Sequence, residues 1–342
     1  MNVRNYLIFA LFIILPLALP AWGNTSTSIE HLLKSGSLRS ISQNLDAKLL
    51  NEFYSKRNFT AAWQLHKEDA QTTVKEFIAF VRSTLDEHGL GDRGYPFGAL
   101  EGKVKSGRDD TLAEADIIAS DIVLRMARSL SGQDPIPQSK LHTWPLKRAK
   151  TDITGGLNKS INEGKVPEFL EHLVPQVKAY EKLKEALKHY RDIQSKGGWI
   201  RVKPGGVVQE GFDDDRLMLI QNRLAQEGYM QFSQQVNKDN TYKGELVEGI
   251  KAFQDNHGLY PDGNIGPETF RALNVPVKER IDQIRVNLAR IRQSPPDAWE
   301  DIVINIPSAQ LSYYRNGEVV YEAPVVVGRV DRPSPLVKSA IY

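Results

Sequence analysis

Residues 246–274 read LVEGIKAFQDNHGLYPDGNIGPETFRALN, and the punctuation of this stretch decides how the chain around it folds. Leu246, Ile250 and Phe253 recur at the spacing of one helical face. The run stops at Gly258, a residue type that readily takes the left-handed conformation closing a helix, with Leu259 behind it as the hydrophobic contact. Asp262-Gly263-Asn264-Ile265-Gly266 is turn chemistry. Pro267 then suits the first position of a new helix carrying Phe270 and Leu273. Just upstream, Leu217 and the segment LIQNRLAQEGYM (219–230) give an earlier stripe, Leu217, Ile220 and Leu224, stopped in the same way by Gly228-Tyr229. The pattern predicts a small bundle of three short helices over residues 212–275.

Upstream the chain reads as mostly helical from about residue 30 to 205. TVKEFIAFVRSTLDEHGL (73–90) places Val74, Phe77, Val81 and Leu85 on one face, with Gly89-Leu90 as the stop. Thr111 and Glu114 have the spacing of a capping box ahead of Ala115, Ile118, Ile122 and Met126. Alternating charges predict one further helix from Glu168 to about Gln194. Trp63, Trp144 and Trp199 read as core anchors. Gly197-Gly198 and Pro204-Gly205-Gly206 break the pattern near residues 200–212, and Asp213-Asp214-Asp215 can cap the next helix.

Downstream, a linker helix over 278–294 carries Ile281, Ile284, Leu288 and Ile291 on one side, with Arg280, Arg285, Arg290 and Arg292 elsewhere around it, and Pro295-Pro296 ends it. The period then changes to that of strands. Ile302–Ile306, Leu311–Tyr314 and Val319–Val320 flank Asn316-Gly317, a strong hairpin signal, and Ala323–Gly328 reads as a third strand.

At the N-terminus, Arg4 precedes an apolar run from Tyr6 to Leu19 too short to span a bilayer comfortably, and Ala21-Trp22-Gly23 supplies small residues where a signal peptidase cuts. Residues 1–23 therefore read as a cleaved signal peptide. The 342 residues hold no cysteine, which excludes disulfides, thiolate metal sites and thiol nucleophiles, and a net charge of +2 gives no field for nucleic acid. The seven histidines are dispersed, without an HExxH pair, so no metal site is expected. Gly89, Gly91 and Gly94 match a dinucleotide-binding pattern, but a helix precedes them where that chemistry needs a strand, so no cofactor is expected.

The stretch 246–274 resembles the small peptidoglycan-binding module, in which a helix ending His-Gly-Leu leads into Asp-Gly-x-Ile-Gly-Pro-x-Thr. His257, Gly258, Leu259, Asp262, Gly263, Ile265, Gly266, Pro267 and Thr269 all fit that pattern. RIDQIRVNLARIR (280–292) and the strands of 302–336 resemble the entrance to the catalytic domain of the large Gram-negative L,D-transpeptidases. NEFYSKRNFTAAW (51–63), EHGLGDRGYP (87–96), ADIIASDIVLRMARSL (115–130) and GGWIRVKPG (197–205) resemble the helical scaffold domain of the same proteins. The resemblance implies a mainly α fold: a scaffold over 30–205, a peptidoglycan-binding bundle over 212–275, the linker helix, and the first strands of an incomplete β domain over 300–342.

The same resemblance implies a periplasmic location, peptidoglycan and other cell-wall synthesis proteins as partners, and a parent reaction that cross-links stem peptides through a cysteine acyl-enzyme. The family's His and Ser-x-Gly-Cys-x-Arg motif is missing, since the last histidine is His257. The chain is therefore expected to bind the wall without catalysis. A fragment of an active enzyme and a periplasmic protein-binding adaptor remain as alternatives. Within the module, Tyr229, Tyr260, Asp262 and Arg271 are the candidate contacts: flat rings can lie on sugar or peptide faces, and charged groups can meet the amines and carboxylates of the wall.

Overall fold

A computed structural model describes residues 22–36, 38–42, 44–63, 65, 69–135, 150–231, 240–294, 302–306, 308–315, 318–329 and 331–332. The signal-peptide reading up to residue 21, Trp144, Pro295-Pro296 and the Asn316-Gly317 turn lie outside them. Contacts divide the chain into two units, Met1–Lys184 with Arg285–Pro296, and Glu185–Ile284 with Asp297–Tyr342. The fold is mainly α.

The first unit is built on one helix. It holds α1 (Trp22–Lys34), α2 (Leu38–Ile41), α3 (Ala47–Ser55), α4 (Ala70–Glu87), α5 (Phe97–Ser106), α6 (Asp109–Leu130), α7 (Ile153–Glu163), α8 (Val166–Leu173) and the first turns of α9 (Lys178–Ser195). Ala115, Ile118, Ile122 and Met126 of α6 are buried as expected, but so are Ile117, Ala119, Val123, Leu124 and Ala127. A helix apolar on every side must be enclosed, and α1, α3, α4, α5, α7 and α8 all pack on it.

Three polar residues of α6 share this interior. The Asp116 carboxylate accepts the Tyr54 hydroxyl at 2.5 Å and the backbone N–H groups of Ala62 and Trp63 at 3.0 and 2.8 Å. Ser120 Oγ lies 2.9 Å from the Tyr54 hydroxyl and accepts Trp63 Nε1–H at 3.0 Å. Asp121 accepts the Asp46 N–H at 2.8 Å, while the Asp46 side chain caps α3 through the Leu49 N–H at 3.0 Å. Burial pushes the Asp116 carboxyl above its ordinary range, against the pull of these hydrogen bonds. The loop after α3 is thus nailed to α6 by side chains, and Trp63 is a core anchor at 2 % exposure.

Two helix expectations need correction. The helix expected over 168–194 is two helices, α8 and α9, because Val174 turns extended with ψ 154° ahead of Pro175; a residue before proline avoids the helical region. The capping box at Thr111 does not form. Helix α6 starts at Asp109, the Thr111 hydroxyl donates back to the Arg108 carbonyl at 2.8 Å, and Glu114 pairs with Lys103.

The end of α13 (Val277–Gln293), from Arg285 onward, belongs to the first unit. Leu288 and Ile291 are buried there, and so, unexpectedly, is Arg292. Arg292 Nη1 donates to the His88 carbonyl at 2.8 Å and to the Tyr180 hydroxyl at 3.0 Å, and Arg285 Nε donates to the Gly89 carbonyl at 2.9 Å. Two guanidiniums, two turns apart on one helix, therefore satisfy carbonyls that the end of α4 leaves free. Gly132, at φ +70°, lets this segment in, since a Cβ there would stand 1.9 Å from the Arg292 carbonyl oxygen. The His88 ring is buried with Nδ1 3.0 Å from the Tyr180 hydroxyl. Burial, reinforced by Lys184 and Arg292 and opposed by Glu87, pushes its pKa down to about 4.

The second unit holds most of α9, the helices α10 (Leu217–Glu227), α11 (Glu245–Asn256) and α12 (Pro267–Leu273), the start of α13, and a meander of β1 (Ile302–Asn305), β2 (Gln310–Arg315) and β3 (Glu318–Pro324). Residues 185–211 join this unit because Val202 and Val208 enter the bundle core. The strands run antiparallel in the order β1-β2-β3, with Ile302 opposite Tyr313, Ile304 opposite Leu311, and Tyr313 opposite Tyr321. Paired residues share a face, so Ile302, Ile304, Tyr313 and Tyr321 line one apolar side, and all are exposed. The expected third strand at 323–328 is corrected: Val319 to Ala323 form one continuous strand that ends at Pro324, after which the Val325 N–H bonds back to the Ala309 carbonyl at 2.8 Å. Among the described residues no helix is long and apolar enough to cross a membrane.

Two outcomes follow from the polar interior of the first unit. Tyr54→Phe should lower the unfolding free energy of the full chain by about 1–3 kcal/mol, the cost of stripping a buried carboxylate of a donor, read from urea midpoints. Because the folded His88 pKa is depressed, its contribution is complete above the unfolded value of about 6.5 and is lost as pH falls toward about 4, a loss on the order of 3 kcal/mol. Urea midpoints at pH 7 and pH 4.5 should show it, and His88→Gln should flatten the difference; an unchanged slope would refute the assignment.

Candidate functional site

The bundle of α10, α11 and α12 closes on Leu217, Ile220, Leu224, Leu246, Ile250, Phe253, Ile265, Phe270 and Leu273, all buried. These are the apolar stripes expected from the sequence. Their stops also form as expected. Gly228 and Gly258 take φ +85° and +66°, and the following N–H groups reach back, Tyr229 to the Leu224 carbonyl at 3.0 Å and Leu259 to the Gln254 carbonyl at 2.8 Å. The aspartates before α10 act differently from simple caps: Asp214 accepts the Arg216 N–H at 2.9 Å and grips its guanidinium, while Asp213 accepts the Thr241 hydroxyl at 2.8 Å.

The turn between α11 and α12 is wound around one amide. Gln254, 2 % exposed, accepts the Gly263 N–H at 2.9 Å and turns its Nε2 to the Asn264 carbonyl at 2.9 Å, Asp262 Oδ1 at 3.1 Å and Thr269 Oγ1 at 3.2 Å. Asp262 in turn accepts the Asn264 N–H at 2.8 Å and its side-chain amide at 2.9 Å, which holds the carboxyl below its ordinary range. Tyr242 donates to the Gly263 carbonyl at 2.6 Å. Ile265 is buried and bridges to Val208, Gly266 leads into Pro267 at the first helical position, and Thr269 is buried beneath the turn. The turn is thus a fixed loop whose polar groups are largely consumed internally.

The candidate contacts fall in different settings. Tyr260 projects from the turn, 84 % exposed. Arg271 is exposed on α12, 3.7 Å from Glu268. Asp262 is committed to the turn. Tyr229 is half-buried edge-on against Phe253, with ring centroids 5.4 Å apart, and is a packing residue more than an open platform. His257 stacks on Phe253 at 4.0 Å and places Nδ1 2.8 Å from the Phe253 carbonyl, so it closes the helix; burial lowers its pKa.

Gln254 and Tyr242 escaped the sequence reading. A signal for Gln254 existed, because it continues the i, i+4 series of Leu246 and Ile250, and a polar residue on a buried stripe must find internal partners.

Residues 48–187 match the family described as "Scaffold domain", and residues 213–273 match the one described as "Putative peptidoglycan binding domain". A "Putative L,D-transpeptidase" of Haemophilus influenzae is 37 % identical over 59 residues, which cover 17 % of this chain and 12 % of that protein. The chain thus carries a scaffold domain and a putative peptidoglycan-binding domain, and over a short stretch it is similar to an L,D-transpeptidase. The binding-domain match begins at the aspartates before α10 and ends with α12, so it coincides with the three-helix bundle and its Gln254-centred turn. The scaffold match runs from α3 into α9 and contains the Asp116 network on α6.

The turn gives a direct test. Gly263, at φ +77°, would put a Cβ 3.1 Å from Val247 Cγ1 and 3.2 Å from Lys251 Cε. Gly263→Ala should cost about 1–2 kcal/mol through the left-handed backbone, measured by thermal unfolding against Gly206→Ala, whose Cβ meets open space and whose φ lies outside the left-handed region.

Proposed function

We propose that this chain is an exported protein that holds peptidoglycan through residues 213–273, with the helical scaffold presenting that module in the periplasm. The observation that carries the reading is the coincidence of the matched binding domain with a rigid, internally hydrogen-bonded turn that exposes Tyr260. Tyr260 and Arg271 are the contacts best placed for it, since both side chains are free of the core. The relative's name and the strands after α13 support descent from a cross-linking enzyme. That family's chemistry needs a thiolate to form the acyl-enzyme, and these 342 residues contain no cysteine. Wall binding without thiol catalysis is therefore the function assigned to them.

The full chain should co-sediment with purified sacculi, and Tyr260→Ala with Arg271→Ala should weaken retention several-fold without lowering the unfolding midpoint. Protein left wholly in the supernatant at low and moderate salt would sink the reading. A carbapenem should leave the intact mass unchanged, and a covalent adduct would overturn the non-catalytic assignment.

A further inference from the structure

Behind the turn, two arginines of the second unit meet around a single buried carboxylate. Helix α12 ends at Leu273, and two arginines cap its last carbonyls: Arg280 Nη2 donates to the Ala272 carbonyl at 3.1 Å, and Arg223 Nε donates to the Leu273 carbonyl at 3.0 Å. Successive carbonyls thus bring two guanidiniums side by side. The remaining donors are unusual. Arg223 Nη2 and Arg280 Nε are buried, and among the described residues neither has a hydrogen-bond partner.

The local carboxylate, Glu227, is itself nearly enclosed. It pairs with Arg223 Nη1 at 2.5 Å, and its other oxygen accepts the Tyr190 hydroxyl at 2.8 Å. Trp199 lies under the Arg223 guanidinium at 3.5 Å from ring centroid to Cζ, and Tyr190 meets Trp199 edge-on at 6.0 Å. The walls are therefore aromatic, which removes water and strengthens any charge pairing made there. Two permanent cations around one anion leave one positive charge in excess locally, and a buried donor without a partner has lost its water and gained nothing in return.

We propose that Arg223 and Arg280 form a subsite for one free carboxylate, the terminus of a short peptide. The inference deepens the peptidoglycan reading, and rests on it, by naming the wall peptide's carboxylate as the group held. A carboxylate suits the site on three counts. Its planar pair of oxygens matches a guanidinium edge. Its single charge equals the excess, whereas a phosphate dianion would meet Glu227 with surplus negative charge. Arg280 is partly exposed while Arg223 is 1 % exposed, so the ligand approaches along Arg280 and is anchored by Arg223.

The test uses the full chain with ¹⁵N-labelled arginine, titrated with N-acetyl-alanyl-alanine carrying a free carboxyl, and separately with the same peptide as its carboxamide. The free acid should shift the Arg280 Nε–H signal saturably, and the amide should bind roughly tenfold to hundredfold more weakly, the range expected for one charge-assisted contact. Arg280→Gln should remove the response and Arg280→Lys restore part of it. Because Arg223 is buried enough for its loss to impair folding, Arg280 carries the test. Equal shifts with acid and amide, or none with either at concentrations on the order of 10 mM, would overturn the proposal. Sacculus retention of the unsubstituted chain is scored in parallel: retention without a peptide response defeats the carboxylate subsite alone, whereas loss of retention defeats the wall-binding reading itself.

Discussion

Every helix ends with carbonyl groups that its own backbone cannot satisfy, and burying such an end demands donors from elsewhere. In this protein arginines meet the demand. Arg285 and Arg292 reach the carbonyls behind α4, and Arg223 and Arg280 reach those of α12. A guanidinium carries five donors, so each cap leaves further N–H groups to place. At Arg292 the Tyr180 hydroxyl absorbs one. At Arg223 and Arg280 a donor each has no partner among the described residues, and the proposed carboxylate subsite is built on those two.

The first unit solves the complementary problem, that of acceptors in an apolar interior. A carboxylate inside a core is tolerable only when hydrogen bonds replace its water. Asp116 obtains them from the Tyr54 hydroxyl and two backbone amides of the following loop. The loop consequently has one position relative to α6. The same rule shapes the bundle, where Gln254 is the buried amide and the turn carrying Tyr260 is what it fixes. Rigidity in the exposed segment originates in a residue that no ligand would touch.

Legibility in the sequence followed the range of the interaction. Helix stops are local: Gly228, Gly258 and the turn through Pro267 declared themselves, and the left-handed glycines and reach-back hydrogen bonds are where the spacing put them. Local signals misled where two of them competed. Alternating charges suggested one helix across 168–194, but Pro175 forbids its predecessor the helical conformation. Thr111 and Glu114 had capping spacing, yet Asp109 starts the helix and Lys103 takes Glu114. Tyr229, offered as a flat ring for the wall, lies half-buried edge-on against Phe253.

By itself the sequence determined the mainly helical class, the three-helix bundle and its turn, and the absence of any thiol, because these depend on periodicity, on backbone preferences of glycine and proline, and on composition. The tertiary structure alone decided which polar residues are buried and whom they meet. In the sequence Arg292 is one of four arginines around a linker helix, and Arg223 and Gln254 carry no local signal of which partners they find. Their partners lie up to 204 residues away in the chain, and a contact between positions that distant leaves no periodic trace in the sequence around either of them.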